Sequence, residues 1–334
     1  MRVSITMVAR EAGVTPAVVS RVLNGDATLR VRDETRARVL AAAERLDYTP
    51  NQAARSLRRS RANALGMAVH DMSNPLYGEI VQGAQRAASE AGFALLLADV
   101  SSLARGDAAA RASIRGGAID GLLLQRAGVP ADRVILQTAS KHVPVVLVND
   151  RSRTLASVAF DDVRGSYVAT RHLVDLGHRA IGYLNIGRTG RASGRVQGWR
   201  TALREAGLTP GPVVDALHTI ESGERGMAEL AAGAELPTGL VVGNVLTAIG
   251  AMTAARSLGI RVPEDLSVVA YHHVEFAAHV TPTLTTVRMP MAEVGARSVQ
   301  LLLDQLEGGE PRQVVVDDPP PELMVRGSTA PPRR

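Results

Sequence analysis

The run Val8-Ala9-Arg10-Glu11-Ala12-Gly13-Val14-Thr15-Pro16-Ala17-Val18-Val19-Ser20-Arg21-Val22-Leu23-Asn24-Gly25 decides how this chain is read. Thr6, just before it, is placed to cap a short helix ending near Ala12. Gly13 is its stop, because glycine enters the left-handed conformation without steric cost. Thr15 caps a second helix, with Pro16 at its first position, where a missing N–H does no harm. Val18, Val19, Val22 and Leu23 fall on one apolar stripe at helical spacing, and Ala17, Ser20, Arg21 and Asn24 share another face. The pattern predicts a third helix over about residues 33–46, with Asp33 as its cap. Val39, Leu40, Ala43 and Leu46 are its contribution to the same small core. Two short helices joined at Gly13-Val14 and backed by a third form a helix-turn-helix. Its second helix has the shape that enters a DNA major groove.

The outward face of that helix suits the task. Arg21 can make a bidentate contact to a guanine edge, and Ala17 can meet a thymine methyl. Thr15, Ser20 and Asn24 are suited to phosphates, which fix register without reading sequence. Charge points the same way. The whole chain carries +5, but residues 1–61 hold twelve Arg against six acids, and the rest nets −1. A positive excess confined to one end is the electrostatic footprint of nucleic-acid binding. A helical hairpin with a merely solvated basic surface is the competing reading.

Beyond the third helix, Pro50 ends the region and Asn51 can cap a segment of some eight residues. So short a helix is marginal in water and folds only against a partner. Ala53 and Ala54 would let a second copy approach closely, whereas Arg55, Arg58, Arg59 and Arg61 also fit a flexible basic linker. From about Ala64, apolar runs alternate with amphipathic stretches. The runs cover residues 65–69, 94–100, 121–124, 143–148, 157–160, 180–186, 239–242 and 266–271, and one amphipathic stretch covers 80–91. Such alternation predicts α/β architecture with parallel sheets flanked by helices. Two halves divide near Phe160-Asp161-Asp162. The expected organisation is a DNA-binding domain over 1–50, a hinge over 51–62 and a sensor over 63–334. One sensor lobe spans about 63–160 and 290–317, the other about 161–289 and 318–330.

The opening run resembles the signature of the lactose/galactose repressor (LacI/GalR) family. Thr35-Arg36-Ala37-Arg38-Val39 and the run from Tyr48 to Leu57 (Tyr-Thr-Pro-Asn-Gln-Ala-Ala-Arg-Ser-Leu) match it too. So do Asp71 with Asn74-Pro75, the stretch Leu173-Val174-Asp175-Leu176-Gly177-His178, and Arg195-Val196-Gln197-Gly198-Trp199. Leu284-Thr285-Thr286-Val287 and Val325-Arg326-Gly327-Ser328-Thr329 complete the match. The resemblance implies a two-lobed periplasmic-binding-protein-like sensor and a homodimer on a pseudo-palindromic operator in double-stranded DNA. Paired hinge helices would lie in the minor groove with Leu57 as a wedge. The implied DNA-binding residues are Thr6, Thr15, Pro16, Ala17, Ser20, Arg21, Asn24, Tyr48, Asn51, Ala54 and Leu57. The implied effector-binding residues are Asp71, Asn74, Asn149, Phe160, Arg195, His218, Asn244 and His272. Asn149, Arg195 and Asn244 suit hydroxyl-rich ligands, and Phe160 is positioned to stack under a sugar ring.

The chain departs from the family in places. The loop after the second helix, residues 26–30, is two residues longer, and Arg32 replaces the usual serine cap. Asn244-Val245 stands for an Asn-Asp pair, and Tyr271-His272-His273 for Tyr-Asp-Asp. An imidazole where a carboxylate is usual still bonds a sugar, and equally suits an anionic ligand. Arg188, Arg191 and Arg195 leave a phosphorylated or acidic effector open, although Arg188 and Arg191 read first as solvated loop charges. Two adjacent histidines in a strand would face opposite sides, which argues against a metal site.

The expected function is a sequence-specific repressor whose operator affinity changes with a small molecule, a sugar or a sugar derivative. The alternative is a co-repressor-dependent or activating regulator of a non-sugar or anionic ligand. No cofactor or metal is called for. Nothing resembles a dinucleotide fingerprint, a P-loop or a Gly-x-Ser-x-Gly elbow, so an enzyme has no support. Absence of cysteine, of an export signal and of a long apolar run predicts a cytoplasmic protein and disfavours a transport component of the same core fold. The end Pro331-Pro332-Arg333-Arg334 has no heptads, which predicts no tetramer built by a coiled coil.

Overall fold

The computed structural model describes residues 3–26, 28–48, 61–70, 72, 74–100, 114–187 and 193–333. They fall into two units, Met1–Asn63 and Ala64–Arg334.

The first unit packs α1 (Ile5–Ala12), α2 (Pro16–Leu23) and α3 (Asp33–Arg45). Gly13 closes α1 at φ 65°, in the left-handed region, and Pro16 is the first residue of α2. Val8, Ala9, Ala12, Val19, Val22, Val39, Ala42 and Ala43 form the buried core, with Val18, Leu23 and Leu46 at its margin. Three local expectations are corrected. Thr6 lies inside α1, because Ser4 already has the extended backbone of a cap and its carbonyl accepts from Met7 and Val8 N–H. Asp33 is the first residue of α3 rather than its cap; Arg32 takes that place with extended backbone, and the Asp33 carboxylate meets the positive helix end. Leu40 is 49% exposed, since one residue beyond Val39 turns it about 100° off the Val39/Ala42/Ala43 face.

The second unit contains two six-stranded sheets. β1 (Ala64–Val69), β2 (Ala94–Asp99), β3 (Gly121–Leu124), β4 (Val145–Val148), β5 (Ala156–Phe160) and β11 (Gln313–Val316) make the first, in order β11-β5-β4-β3-β1-β2. β6 (Ile181–Ile186), β7 (Val213–Ala216), β8 (Gly239–Val242), β9 (Ser267–Tyr271), β10 (Thr285–Arg288) and β12 (Glu322–Met324) make the second, in order β12-β10-β9-β8-β6-β7. All pairings are parallel except β10 with β12. The interior strands β1, β3, β4, β8 and β9 are buried along their whole length. That is why they read as continuous apolar runs rather than as alternation. β7, β10, β11 and β12 are too short or too polar to stand out that way in sequence.

The helices are α4 (Leu76–Glu90), α5 (Pro130–Ala139), α6 (Asp162–Asp175), α7 (Gly194–Glu205), α8 (Ile220–Ala231), α9 (Val245–Ser257) and α10 (Met291–Leu306), with a 3-10 turn at Glu275–Ala278. Three helix pairs approach so closely that glycine is required at the crossing. A Cβ on Gly83 or Gly295 would strike the Ala292 or Ile80 carbonyl where α4 meets α10. Gly198 does the same between α7 and α6, as do Gly223 and Gly250 between α8 and α9. These crossings fix the helices against the sheets and so fix the loops at the strand ends.

Candidate DNA-reading face and ligand cleft

In the first unit, Thr15 Oγ1 accepts from Val18 N at 3.4 Å and caps α2. Thr15, Pro16, Ala17, Arg21 and Asn24 are exposed and Ser20 is half-buried, so the face read from the sequence is open. Asn24 Nδ2 turns back to the Ser20 carbonyl at 2.6 Å. Arg21 Nε donates to Asp26 Oδ2 at 2.7 Å and its Nη2 to Thr28 Oγ1 at 2.9 Å. Thr6 is exposed on α1. Tyr48 is half-buried against the small core, its N–H on the Ala43 carbonyl at 2.8 Å. Asn51, Ala54 and Leu57 lie outside the described residues, as do Asp71, Arg188 and Arg191.

In the second unit, the remaining expected ligand residues sit at or just beyond the carboxyl ends of parallel strands, or at the start of the helix that follows. Asn149 follows β4 with φ 53°, and His272 follows β9 with φ 71°. Left-handed backbone at non-glycine residues is uncommon and clusters at binding sites. Asn74, nearly buried, uses Oδ1 to cap α4 by accepting from Leu76 N. Asn244, fully buried, caps α9 through Leu246 N at 2.8 Å, and its Nδ2 has no protein partner.

Arg195 organises the second lobe's share. Its Nε donates to Asp162 Oδ1 at 2.8 Å, its Nη1 to the Gly243 carbonyl at 2.7 Å, and its guanidinium lies 4.3 Å from the Tyr271 ring centroid. Burial works against its charge, but the Asp162 carboxylate together with the Tyr271 and Tyr183 hydroxyls outweighs that and holds it firmly protonated. Tyr271 Oη donates to the same Asp162 oxygen at 2.9 Å. Burial, joined by Asp162, pushes that phenol well up. Arg195 Nη2 stands 3.2 Å from His272 Nε2. His218, two residues beyond β7, is exposed, yet crowding by the surrounding protein, with Arg195, lowers its imidazole to about 4.

Phe160 does not present a ring to the cleft. It is wholly buried, edge-on to His272 at 5.6 Å and tilted against Tyr271 at 6.4 Å, so it supports the site from beneath. The two histidines are not both in the strand: β9 ends at Tyr271, and positive φ turns the chain at His272. His273 goes elsewhere, to Thr286 Oγ1 at 3.1 Å, beside Arg326.

Residues 4–51 match the model of the bacterial regulatory proteins of the lacI family, and residues 170–329 match a periplasmic binding protein-like domain. The HTH-type transcriptional regulator DegA of Bacillus subtilis (strain 168) is 32% identical over 339 residues, spanning 99% of both chains. The chain belongs to the LacI family. The HTH-type transcriptional repressor PurR of Edwardsiella ictaluri is 32% identical over 98% of this chain and 97% of its own. The lac repressor dimer bound to operator and the anti-inducer ONPF superimposes with a TM-score of 0.82 at 27% identity, over 99% of this chain and 100% of that one. This LacI-family member is therefore a DNA-binding transcriptional repressor under small-molecule control, and relatives named as repressors favour that over an activator. Its relatives are named as regulators, not as enzymes. Among the described residues no helix is long and apolar enough to cross a membrane.

Sequence reading did not join Asp162, Tyr271 and the Gly243 carbonyl to Arg195, or Asp26 and Thr28 to Arg21. In sequence Asp162 stands out only as a boundary mark, and Tyr271 only as the neighbour of two histidines. A carboxylate that could reach Arg195 was the available signal, but it lies 33 residues away in sequence.

Proposed function

We propose that this LacI-family repressor binds a pseudo-palindromic operator as a homodimer, through residues 1–50 and a hinge at 51–62, and that a sugar or sugar-derived effector changes its operator affinity. The exposed face of α2 carries the reading: Thr15, Pro16, Ala17, Arg21 and Asn24 stand outward on a helix whose Val19 and Val22 are buried. Thr6, Ser20, Tyr48, Asn51, Ala54 and Leu57 complete the DNA contacts. The effector sits between lobe one (63–160 and 290–317) and lobe two (161–289 and 318–330), against Asp71, Asn74, Asn149, Arg195, His218, Asn244 and His272, with Phe160 beneath. Crevices beyond strand carboxyl ends are the usual ligand seat of open α/β sheets.

The edge strand β2 supports a dimer. Leu96 is 46% exposed and Leu97 42%, an apolar edge of the kind that soluble proteins cover. The protein acts in the cytoplasm and catalyses no reaction. DNA and effector each favour one arrangement of the lobes, so each alters the other's affinity by the same factor.

The test is fluorescence anisotropy of the full chain on a duplex it selects from a random pool, with sugars, sugar phosphates and nucleobases first screened by thermal shift. One or more of these raises Tm and changes operator affinity, and affinity falls steeply with salt. No selected duplex, or a flat salt response, refutes the DNA reading. Failure of every ligand to shift Tm refutes the effector reading.

A further inference from the structure

Resting on the reading that α2 enters the major groove, we propose that Asp26 and Thr28 are positioning residues for DNA recognition. They hold the Arg21 guanidinium by its Nε–Nη2 edge and leave its Nη1–Nη2 edge to meet a guanine.

The geometry is closed. Asp26 Oδ2 accepts from Arg21 Nε at 2.7 Å, and Thr28 Oγ1 accepts from Arg21 Nη2 at 2.9 Å. The Thr28 hydroxyl proton then goes to Asp26 Oδ1 at 2.7 Å, and the Thr28 N–H to the same oxygen at 2.8 Å. One hydroxyl thus accepts once and donates once, and both carboxylate oxygens are used. The loop that supplies these groups is itself anchored. Asp26 N–H bonds the Arg21 carbonyl at 3.0 Å, Leu29 N–H bonds the Asp26 carbonyl at 3.2 Å, and Leu29 and Val31 pack on the small core.

A guanidinium has five N–H donors on two usable edges. The Nε–H and the Nη2–H beside it are consumed here. The remaining edge, one N–H from each Nη, has the spacing of guanine O6 and N7. The Arg21 side chain stays 46% exposed, so the free edge is reachable. A long side chain already held in its bound shape gives up less freedom on binding. Hydrogen bonds from Thr28 and Arg21 hold the Asp26 carboxyl down to about 2, so the acceptor stays charged at any working pH. The rival is shielding, in which the carboxylate competes with DNA for Arg21.

The experiment uses the full chain and the duplex it selects, with every base pair substituted singly. Discrimination lost in Arg21→Ala marks the base pair that Arg21 reads. Asp26→Ala and Thr28→Val lower discrimination at that same pair by about tenfold, a good bidentate contact being the source of such ratios. Thr28→Ser, which keeps the hydroxyl, retains it. Adding Asp26→Ala to Arg21→Ala costs nothing further. Tighter binding by Asp26→Ala establishes shielding and overturns the proposal. So does intact discrimination, or a loss spread evenly over all base pairs, which marks a merely structural loop. If Arg21→Ala abolishes binding, the pair is located instead as the one where Thr28→Val and Thr28→Ser differ, and no such pair overturns the proposal. Failure of the wild type to select any duplex refutes the DNA reading instead.

Discussion

Arg195 Nη2 lies 3.2 Å from His272 Nε2, and this fixes the state of the imidazole. A guanidinium only donates, so Nε2 must accept and the ring proton sits on Nδ1. That nitrogen is buried and has no protein partner, as is true of Asn244 Nδ2. Two orphaned donors thus stand beside a strongly held arginine.

The first prediction concerns acid. Burial, reinforced by Arg195 and His218, keeps His272 well below its ordinary 6.5. Burial likewise lowers His172, His178 and His273. The unfolded chain therefore binds these protons near pH 6.5 while the folded chain refuses them. Stability is full above that pH and falls as the pH drops through it toward the lowered folded values. Glu79, raised by burial, works the opposite way but nearer its own range. Each fully refused proton costs about 1.4 kcal/mol per pH unit. Calorimetry should show Tm lower at pH 5.5 than at 7.5 by about 5 °C, with a shallower slope in His272→Gln. A Tm that rises on acidification contradicts this.

How much of this could be read beforehand follows from where each signal lives. α2 was legible because Thr15, Pro16 and the valine stripe are local, and the sheet strands because β1, β3, β4, β8 and β9 are buried on both faces. Leu40 and Thr6 misled because a helix face and a cap depend on one residue of phase, which Val39 and Ser4 decide. In the cleft, the residue types were visible but their assignments were not. Phe160 was read as a stacking platform, and only the packing of Tyr271 and His272 over it shows that it is covered. Asp162 pairs with Arg195 and Tyr271 across 33 and 109 residues, and no spacing rule reaches that far.

The helix crossing of α4 and α10 gives a second prediction. A Cβ at Gly295 would collide with the Ile80 carbonyl, whereas Gly78, in the same α4, has nothing within 4 Å of its would-be Cβ. Gly295→Ala should destabilise by about 3 kcal/mol or more, at the upper end of overpacking costs, because backbone cannot yield as a side chain does. Gly78→Ala should stabilise by about 0.5–1 kcal/mol. Urea unfolding of both decides it; similar values for the two would refute the close crossing.

Asp162 supports a third. Its Oδ1 takes both the Arg195 Nε–H and the Tyr271 hydroxyl. Asp162→Ala leaves a charged donor and a fully buried phenol unsatisfied, at a cost of about 2–3 kcal/mol. Tyr271→Phe removes one neutral donor and leaves the ion pair, so it should cost about 1 kcal/mol. Equal losses in chemical denaturation would mean that the shared oxygen is not the organising contact.

The last prediction returns to His272. Its φ of 71° is one that Asp tolerates better than most residues. Arg195 stands ready to meet a carboxylate, so His272→Asp should fold with a Tm within a few degrees of the parent. What changes is the chemistry offered to a ligand. An Nδ1–H donor becomes an acceptor-only group beside a second acid, Asp162. Ligands rich in hydroxyl donors should gain thermal shift in the variant, and ligands rich in carbonyl or anionic acceptors should lose it. The comparison is one panel of sugars, sugar phosphates and nucleobases run against both proteins. An unchanged ranking, with the variant folded, would show that position 272 does not face the bound molecule.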